Sequence, residues 1–354
     1  MKNPANNDWK NLTDLHLDVV KQYKVVGSSM AIMKDGKLTL QHHAGYADRA
    51  TGRKTDIDTI YHWASVTKTF TGIAIMQLRD QQKLKLSDPI VQYVPELTRM
   101  NNPFGKMEDI TLRHLLTHSA GFRSPTWPEQ ADKAGDWNEL MSRISGFRIL
   151  FKPGSKYSYS NLAITFLAPV IEQLSGIKYE AYMQDNIFKP LGMNRSYFNN
   201  TPKELLKYRS NNYSIDNNKI TANGLDFTTG VTTVNGGLNA PCADMVKYMD
   251  FLCNGSSILK RSSLQEMWKP VFPVKEGKSA SEEMGTAFFA VTRKKHLFIG
   301  HEGDQKGFRC FFYINPANKM GVAVNFNTAG KNARSDTKKG LYKLRNGVLD
   351  YINV

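Results

Sequence analysis

"HLFIGHEGDQKGFRCFFYINPANKMGVAVNFN", residues 296–327, reads as three consecutive strands rich in Phe, Ile, Val and Tyr. Asn315-Pro316 with Asn318 marks a hairpin turn between the last two. "TAFFAVTR", residues 286–293, adds a strand upstream. Sequential strands joined by short turns imply an antiparallel sheet, which must bury one face against other elements.

Working outward, "SSMAIMKDGKLTLQHHAGYAD" (residues 28–48) places two β-like runs around Asp35-Gly36, a strong hairpin signal. This early hairpin is expected to share the sheet with the late strands. Ahead of it, Leu12, Leu15, Val19, Val20 and Tyr23 stand at helical spacing, and Leu341, Leu344, Val348 and Leu349 do so near the other end. Two terminal helices should therefore cover one sheet face. Between them, residues from Ser87 to about Gly224 read as mostly helical. Pro89 follows a capping Ser87 or Asp88, Thr111 caps a helix that Gly121 ends, an apolar helix is closed by Gly176, and residues 199–224 form a polar, Asn-rich loop. The expected fold class is α+β: an antiparallel sheet flanked by helices (residues 1–60 and 230–354), plus an inserted mainly helical domain (61–229), with the site in the cleft between them.

Composition narrows the function classes. The chain has 354 residues, 41% of them hydrophobic and 22% charged, without repeats or low-complexity tracts. A net charge of +15 reads as a solvated basic surface. The lysines are dispersed, and the densest basic run, Lys331 to Arg345, accompanies no nucleic-acid motif. No nucleic-acid partner is expected. Cys242, Cys253 and Cys310 form neither a disulfide framework nor a C-x-x-C pattern. No apolar run reaches membrane-spanning length, and "MKNPANNDWK" shows no secretory signal, so the expectation is a cytosolic chain, or an exported one whose leader has been removed.

"YHWASVTKTFTGIAIMQL", residues 61–78, carries the chemistry. Positions i and i+3 of a helix are neighbours, so Ser65 and Lys68 face one spot. The helix, expected to run to about Lys83, starts at Ser65, where unpaired backbone N–H groups favour developing negative charge. A serine hydroxyl needs a base, and a lysine can serve once burial has lowered its pKa from ~10.4 toward 7. The Ser-x-x-Lys spacing recurs at Ser175, Ser257 and Ser335, but only Ser65 begins a long apolar helix. Tyr159 and Asn161 stand at a loop-to-helix junction, where a tyrosine can relay a proton and an asparagine can bind a carbonyl. His301 and Gly303 lie on a late strand. Such a strand can offer a backbone N–H to an oxyanion, and its glycine would let substrate approach closely. His114 and His118, four apart, lack the acidic partner of a metal motif and read as capping or core residues. Trp63 and Trp127 either line a pocket or pack.

Ser-x-x-Lys, Tyr-x-Asn and His-x-Gly in this order resemble the serine β-lactamase and penicillin-binding protein superfamily. "ITLRHLLTHSAGF" (110–122), "NGGLNAPCADMVKYM" (235–249) and "GHEGDQKGF" (300–308) are similar to its class C β-lactamase-related branch. The resemblance implies a sheet-plus-helical-domain fold and a serine hydrolase without cofactor or metal. It makes Ser65 the acylated nucleophile, Lys68 its base, Tyr159 a second proton-transfer group and Asn161 an amide ligand. His301 and Gly303 form the third motif, and the N–H groups of Ser65 and Asp304 an oxyanion hole. The implied substrate is a small ester, amide or D-amino-acid peptide. The third motif of class C β-lactamases is usually Lys-Thr-Gly. His301 in the lysine's place, beside acidic Glu302 and Asp304, points to an esterase or D-amino-acid peptidase rather than a dedicated β-lactamase, unless Lys306 or Arg309 turns inward. The alternatives are a class C-type β-lactamase and a non-catalytic penicillin- or peptidoglycan-binding sensor.

Overall fold

The computed structural model describes residues 6–122, 136–217, 219–276, 280–330 and 336–352. Helix α1 (Asn6–Gln22) leads into strands β1 (Gly27–Lys34), β2 (Lys37–Asp48) and β3 (Arg53–Lys54). The β1–β2 turn has Asp35 and Gly36 at φ 48° and 77°, the left-handed pair that the Asp-Gly signal called for. A 3-10 turn (Ala64–Val66) runs into α2 (Thr67–Asp80). After a long, mainly helical section come β4 (Phe272–Lys275), β5 (Ala280–Met284), β6 (Phe289–Arg293), β7 (His296–Gln305), β8 (Phe308–Asn315) and β9 (Met320–Phe326), then a helix over Thr337–Tyr351.

These nine strands form one sheet in the order β3-β2-β1-β9-β8-β7-β6-β5-β4, antiparallel throughout. The early hairpin joins the late strands through β1 against β9, with Ser28 opposite Phe326. One face packs on α1 and the Thr337–Tyr351 helix through Leu12, Val19, Val324, Leu344 and Val348. The other packs on a larger core that includes Val66, Phe70, Ile73, Phe312 and Tyr248. Helix α2 runs through that second core and is buried from Thr67 to Leu78. No helix among the described residues is long and apolar enough to cross a membrane.

Four expectations require correction. The Ser87–Leu97 stretch makes two 3-10 turns, Ile90–Gln92 and Pro95–Arg99, because Pro89 is extended and Pro95 interrupts the run. The helix capped by Thr111 stops at Leu116, well before Gly121. Within 199–224 a hairpin forms, Tyr213–Asp216 with Lys219–Ala222, and pairs in parallel with Thr328–Gly330. Only Tyr213 and Ile215 of it reach the core, too short an alternation to stand out among the asparagines. Strands β4 and β5 were not anticipated, since Lys275, Glu282 and Glu283 break their apolar pattern.

Candidate active site

Ser65 is presented by a braced turn. Ala64 precedes it at φ 44°, a left-handed backbone that a non-glycine residue adopts only when held. The holding groups are visible. Trp63 N–H donates to Leu238 O at 2.7 Å, its indole N–H to Ala240 O at 2.9 Å, and Thr67 Oγ1 to Ala64 O at 2.6 Å. Trp63 is fully buried, so it packs and lines no pocket. Ser65 stands two residues ahead of α2, within the 3-10 turn and not on the α-helix itself.

Lys68 Nζ lies 2.9 Å from Ser65 Oγ and 2.7 Å from Asn235 O. The side chain is fully buried and makes no ion pair among the described residues. Burial holds its pKa well below the usual lysine value, because nothing anionic repays the desolvation of an ammonium. Asn235 is itself fixed through Nδ2 to Thr165 Oγ1 at 2.8 Å. The Tyr159 ring lies 5.0 Å from Lys68 Nζ, and burial raises the pKa of its hydroxyl against an opposing pull from Ser65.

His301 sits on β7, opposite Phe312 of β8. Its Nδ1 lies 2.6 Å from Glu302 O, and burial first, then Lys68, push its pKa down to about 3. It is a neutral imidazole, packed on Phe289 with ring centroids 4.8 Å apart. Ser65, Tyr159, Asn161, His301, Gly303 and Asp304 line one cavity of about 390 Å³. Lys68 is the exception among the residues proposed from sequence, standing behind Ser65.

Two parts of the sequence reading change. The Glu302 and Asp304 carboxylates are not free. Arg345 pairs with Glu302, and Arg309 Nε lies 3.3 Å from Asp304. Arg309 does line the cavity, but it is spent on Asp304, Gly330 and Thr337. Lys306 does not line it. The cation that does is exposed Lys338, from the Thr337–Tyr351 helix, with no ion pair among the described residues. Sequence spacing could not bring it to a site 273 positions away. The second change is Gly303, where an added Cβ would meet Trp63 O at 2.5 Å and Cys310 Sγ at 2.7 Å. The glycine makes room for the Ser65 turn as well as lining the cavity.

His114 caps its helix, accepting from Thr111 N–H at 3.2 Å, while His118 turns away to stack on Tyr159. No group of three His, Cys, Asp or Glu among the described residues is placed to hold a metal ion. Ser175 lies at a helix C-terminus and Ser257 in a turn, as expected, whereas Ser335, Trp127, Lys331 and Arg334 fall outside the described residues.

This sheet, with a Ser–Lys–Tyr cluster packed against its interior strands, defines the serine β-lactamase and penicillin-binding protein superfamily. A family model described as Beta-lactamase matches residues 12–345, and the chain belongs to that family. It is 28% identical to Protein flp of Staphylococcus aureus (strain MW2) over 302 residues, 85% of this chain and 59% of that protein. It is 30% identical over 190 residues to a Beta-lactamase of Escherichia coli (strain K12), 54% of this chain and 48% of that one. The chain thus spans less than two thirds of the curated relatives it matches. The octameric penicillin-binding protein homologue from Pyrococcus abyssi superposes with a TM-score of 0.83 at 26% identity, covering 97% of this chain and 78% of that one.

Proposed function

We propose that the protein is a serine hydrolase that cleaves a small ester or amide through an acyl-enzyme on Ser65. The observation that carries this reading is the buried, unpaired Lys68 amine 2.9 Å from Ser65 Oγ. A neutral amine there takes the hydroxyl proton as Oγ attacks the carbonyl carbon. The oxyanion is received by the N–H groups of Ser65 and Asp304. As the intermediate collapses, the bond to the leaving group breaks and its electron pair goes to the leaving atom. That atom takes the Tyr159 proton, which the Lys68 ammonium replaces. Water then releases the acyl group by the reverse relay. Asn161, whose Oδ1 is buried without a partner among the described residues, orients the acyl side of the substrate in this reading.

The neutral His301 supplies no fixed charge for a carboxylate, which favours an ester or D-amino-acid amide. Lys338 at the cavity wall favours the second reading, a β-lactamase. The test is a fluorophosphonate probe followed by intact-mass analysis, with p-nitrophenyl butyrate, D-aminoacyl anilides and nitrocefin turned over by the same preparation. Labelling at Ser65, its loss with activity in Ser65→Ala, and ester or anilide turnover at least ~100-fold above nitrocefin are expected. A folded protein that neither labels nor turns over would make it a binder, and nitrocefin matching the best ester would make it a β-lactamase.

A further inference from the structure

Three contacts of His118 converge on one short stretch. Its carbonyl accepts from Ser158 N–H at 2.8 Å, and its Nδ1 from Ser160 N–H at 3.1 Å. Its ring stacks on Tyr159, with centroids 4.3 Å apart and planes 30° from parallel. One residue therefore grips the positions before, at and after Tyr159. Its neighbour Ser119 continues the grip, its carbonyl taking Gly154 N–H at 2.8 Å.

The arrangement is costly in ways that core filling would avoid. His118 has φ 52°, a left-handed backbone that non-glycine residues adopt uncommonly. Its Nε2 is buried without a partner among the described residues, whereas a phenylalanine would stack with nothing left unsatisfied. What phenylalanine cannot do is accept the Ser160 N–H. That bond also settles the tautomer, since Nδ1 must present its lone pair and the proton must sit on Nε2. His118 does not line the cavity. Across Tyr159 stand Lys68 and His301, the latter with its ring centroid 6.3 Å away. The phenol is held between groups that are themselves fixed.

We propose that His118 is a positioning residue for Tyr159. Its ring and its Nδ1 set the angle at which the phenol meets Ser65, so proton delivery to the leaving group depends on a side chain that touches neither substrate nor nucleophile. This rests on the acyl-enzyme reading above. A misplacement of about 1 Å in such a relay is enough to lose roughly 100-fold in rate.

The signature is a dependence on the leaving group. A p-nitrophenolate departs without a proton, but an ethoxide needs one. His118→Asn keeps an acceptor for Ser160 and tolerates the positive φ, but loses the ring. It should lower kcat/KM, which reports acylation alone, for ethyl butyrate by at least about 30-fold and for p-nitrophenyl butyrate by less than about 3-fold. Added to Tyr159→Phe, it should cause no further loss. Equal losses on both esters, or a full additional loss on the Tyr159→Phe background, would overturn the role of His118. So would an unaffected His118→Asn beside a damaged Tyr159→Phe. A Tyr159→Phe enzyme indifferent to the leaving group would instead remove the proton-delivery reading, and this role with it. Should His118→Asn not fold, nitrogen-15 histidine spectra of the wild type decide: His118 must be the Nε2–H tautomer at pH 7, and an Nδ1–H tautomer or a cation refutes the contact.

Discussion

A β-carbon on Gly303 would stand 2.5 Å from the carbonyl oxygen of Trp63, closer than real side chains come. Strand β7 thus rests directly on the turn that presents Ser65, and Cys310 Sγ on β8 donates to the same carbonyl at 3.3 Å. Gly303→Ala should push that turn off the sheet. Because the obstacle is backbone, the strain cannot relax through a rotamer. We expect a stability loss of about 1–3 kcal/mol and an acylation rate down by at least about 100-fold. Urea melts and fluorophosphonate labelling rates measure the two. An alanine variant labelled at the wild-type rate would show that Ser65 tolerates movement of its support.

Lys68→Arg should be as damaging as Lys68→Ala. Arginine keeps the charge but cannot give up its proton near neutral pH. With the lysine pKa lowered by burial, activity is present above that pKa and falls as the pH drops through it. His301, down at about 3, stays neutral over pH 5–9 and should not contribute to that limb. The acid limb of kcat/KM should therefore be unchanged in His301→Gln. A displaced limb would assign the titration to His301.

Lys338→Glu separates substrates by charge. Its effect should be confined to anionic ones, with kcat/KM for nitrocefin down about 10-fold and that for p-nitrophenyl butyrate unchanged within about 2-fold. The gap should shrink at 0.5 M salt, as expected of an exposed charge. A uniform decrease would place Lys338 outside substrate recognition.

The sheet face under α1 holds a titratable pair. His16 Nδ1 lies 2.7 Å from His42 Nδ1, and its Nε2 2.6 Å from Ser28 Oγ. Burial first, then His42 and His43, push the His16 pKa down to about 3, and burial also lowers those of His42 and His43 against the opposing pull of Asp14 and Asp56. Between about 3 and the ordinary 6.5, the unfolded chain takes up a proton that the folded one refuses. The stabilisation is thus complete above pH 6.5 and lost as the pH falls toward 3. Between pH 7 and 4.5 the wild-type Tm should drop at least about 3 °C more than that of His16→Gln, by calorimetry. Parallel drops would mean that other groups govern acid lability.

What could be read from sequence is what local spacing encodes. Ser65 and Lys68 lie three apart, so the 3-10 turn running into α2 brings them together. Asp35-Gly36 specifies its own hairpin. His301 and Gly303 sit on an apolar strand with a clear pattern. What stayed hidden depends on partners distant in the chain. His118 matters through Ser158, Tyr159 and Ser160, forty positions on. Glu302 looked unopposed because its partner Arg345 arrives from another helix, the same helix that brings Lys338 to the cavity wall. The close approach of Trp63 to Gly303 was also hidden, since nothing local shows it.

The pairing of β1 with β9 also has a consequence for how the protein is made. Strand β1 is complete at Lys34, but its neighbour β9 is not finished until Phe326. At about 5–20 residues per second, the ribosome leaves the open edge of the β1–β2 hairpin waiting roughly 15–60 s for its mate. Throughout that interval Met30 and Ile32 have no sheet partner on one side, an invitation to associate with other nascent chains. The Ser65 nucleophile emerges early as well, yet the strand that supports its turn and the helix that walls its cavity follow more than 200 residues later. A ribosome-bound fragment ending near residue 290 should therefore bind holdase chaperones and leave Ser65 unlabelled by the fluorophosphonate, whereas release of the full chain should bring labelling in a single step.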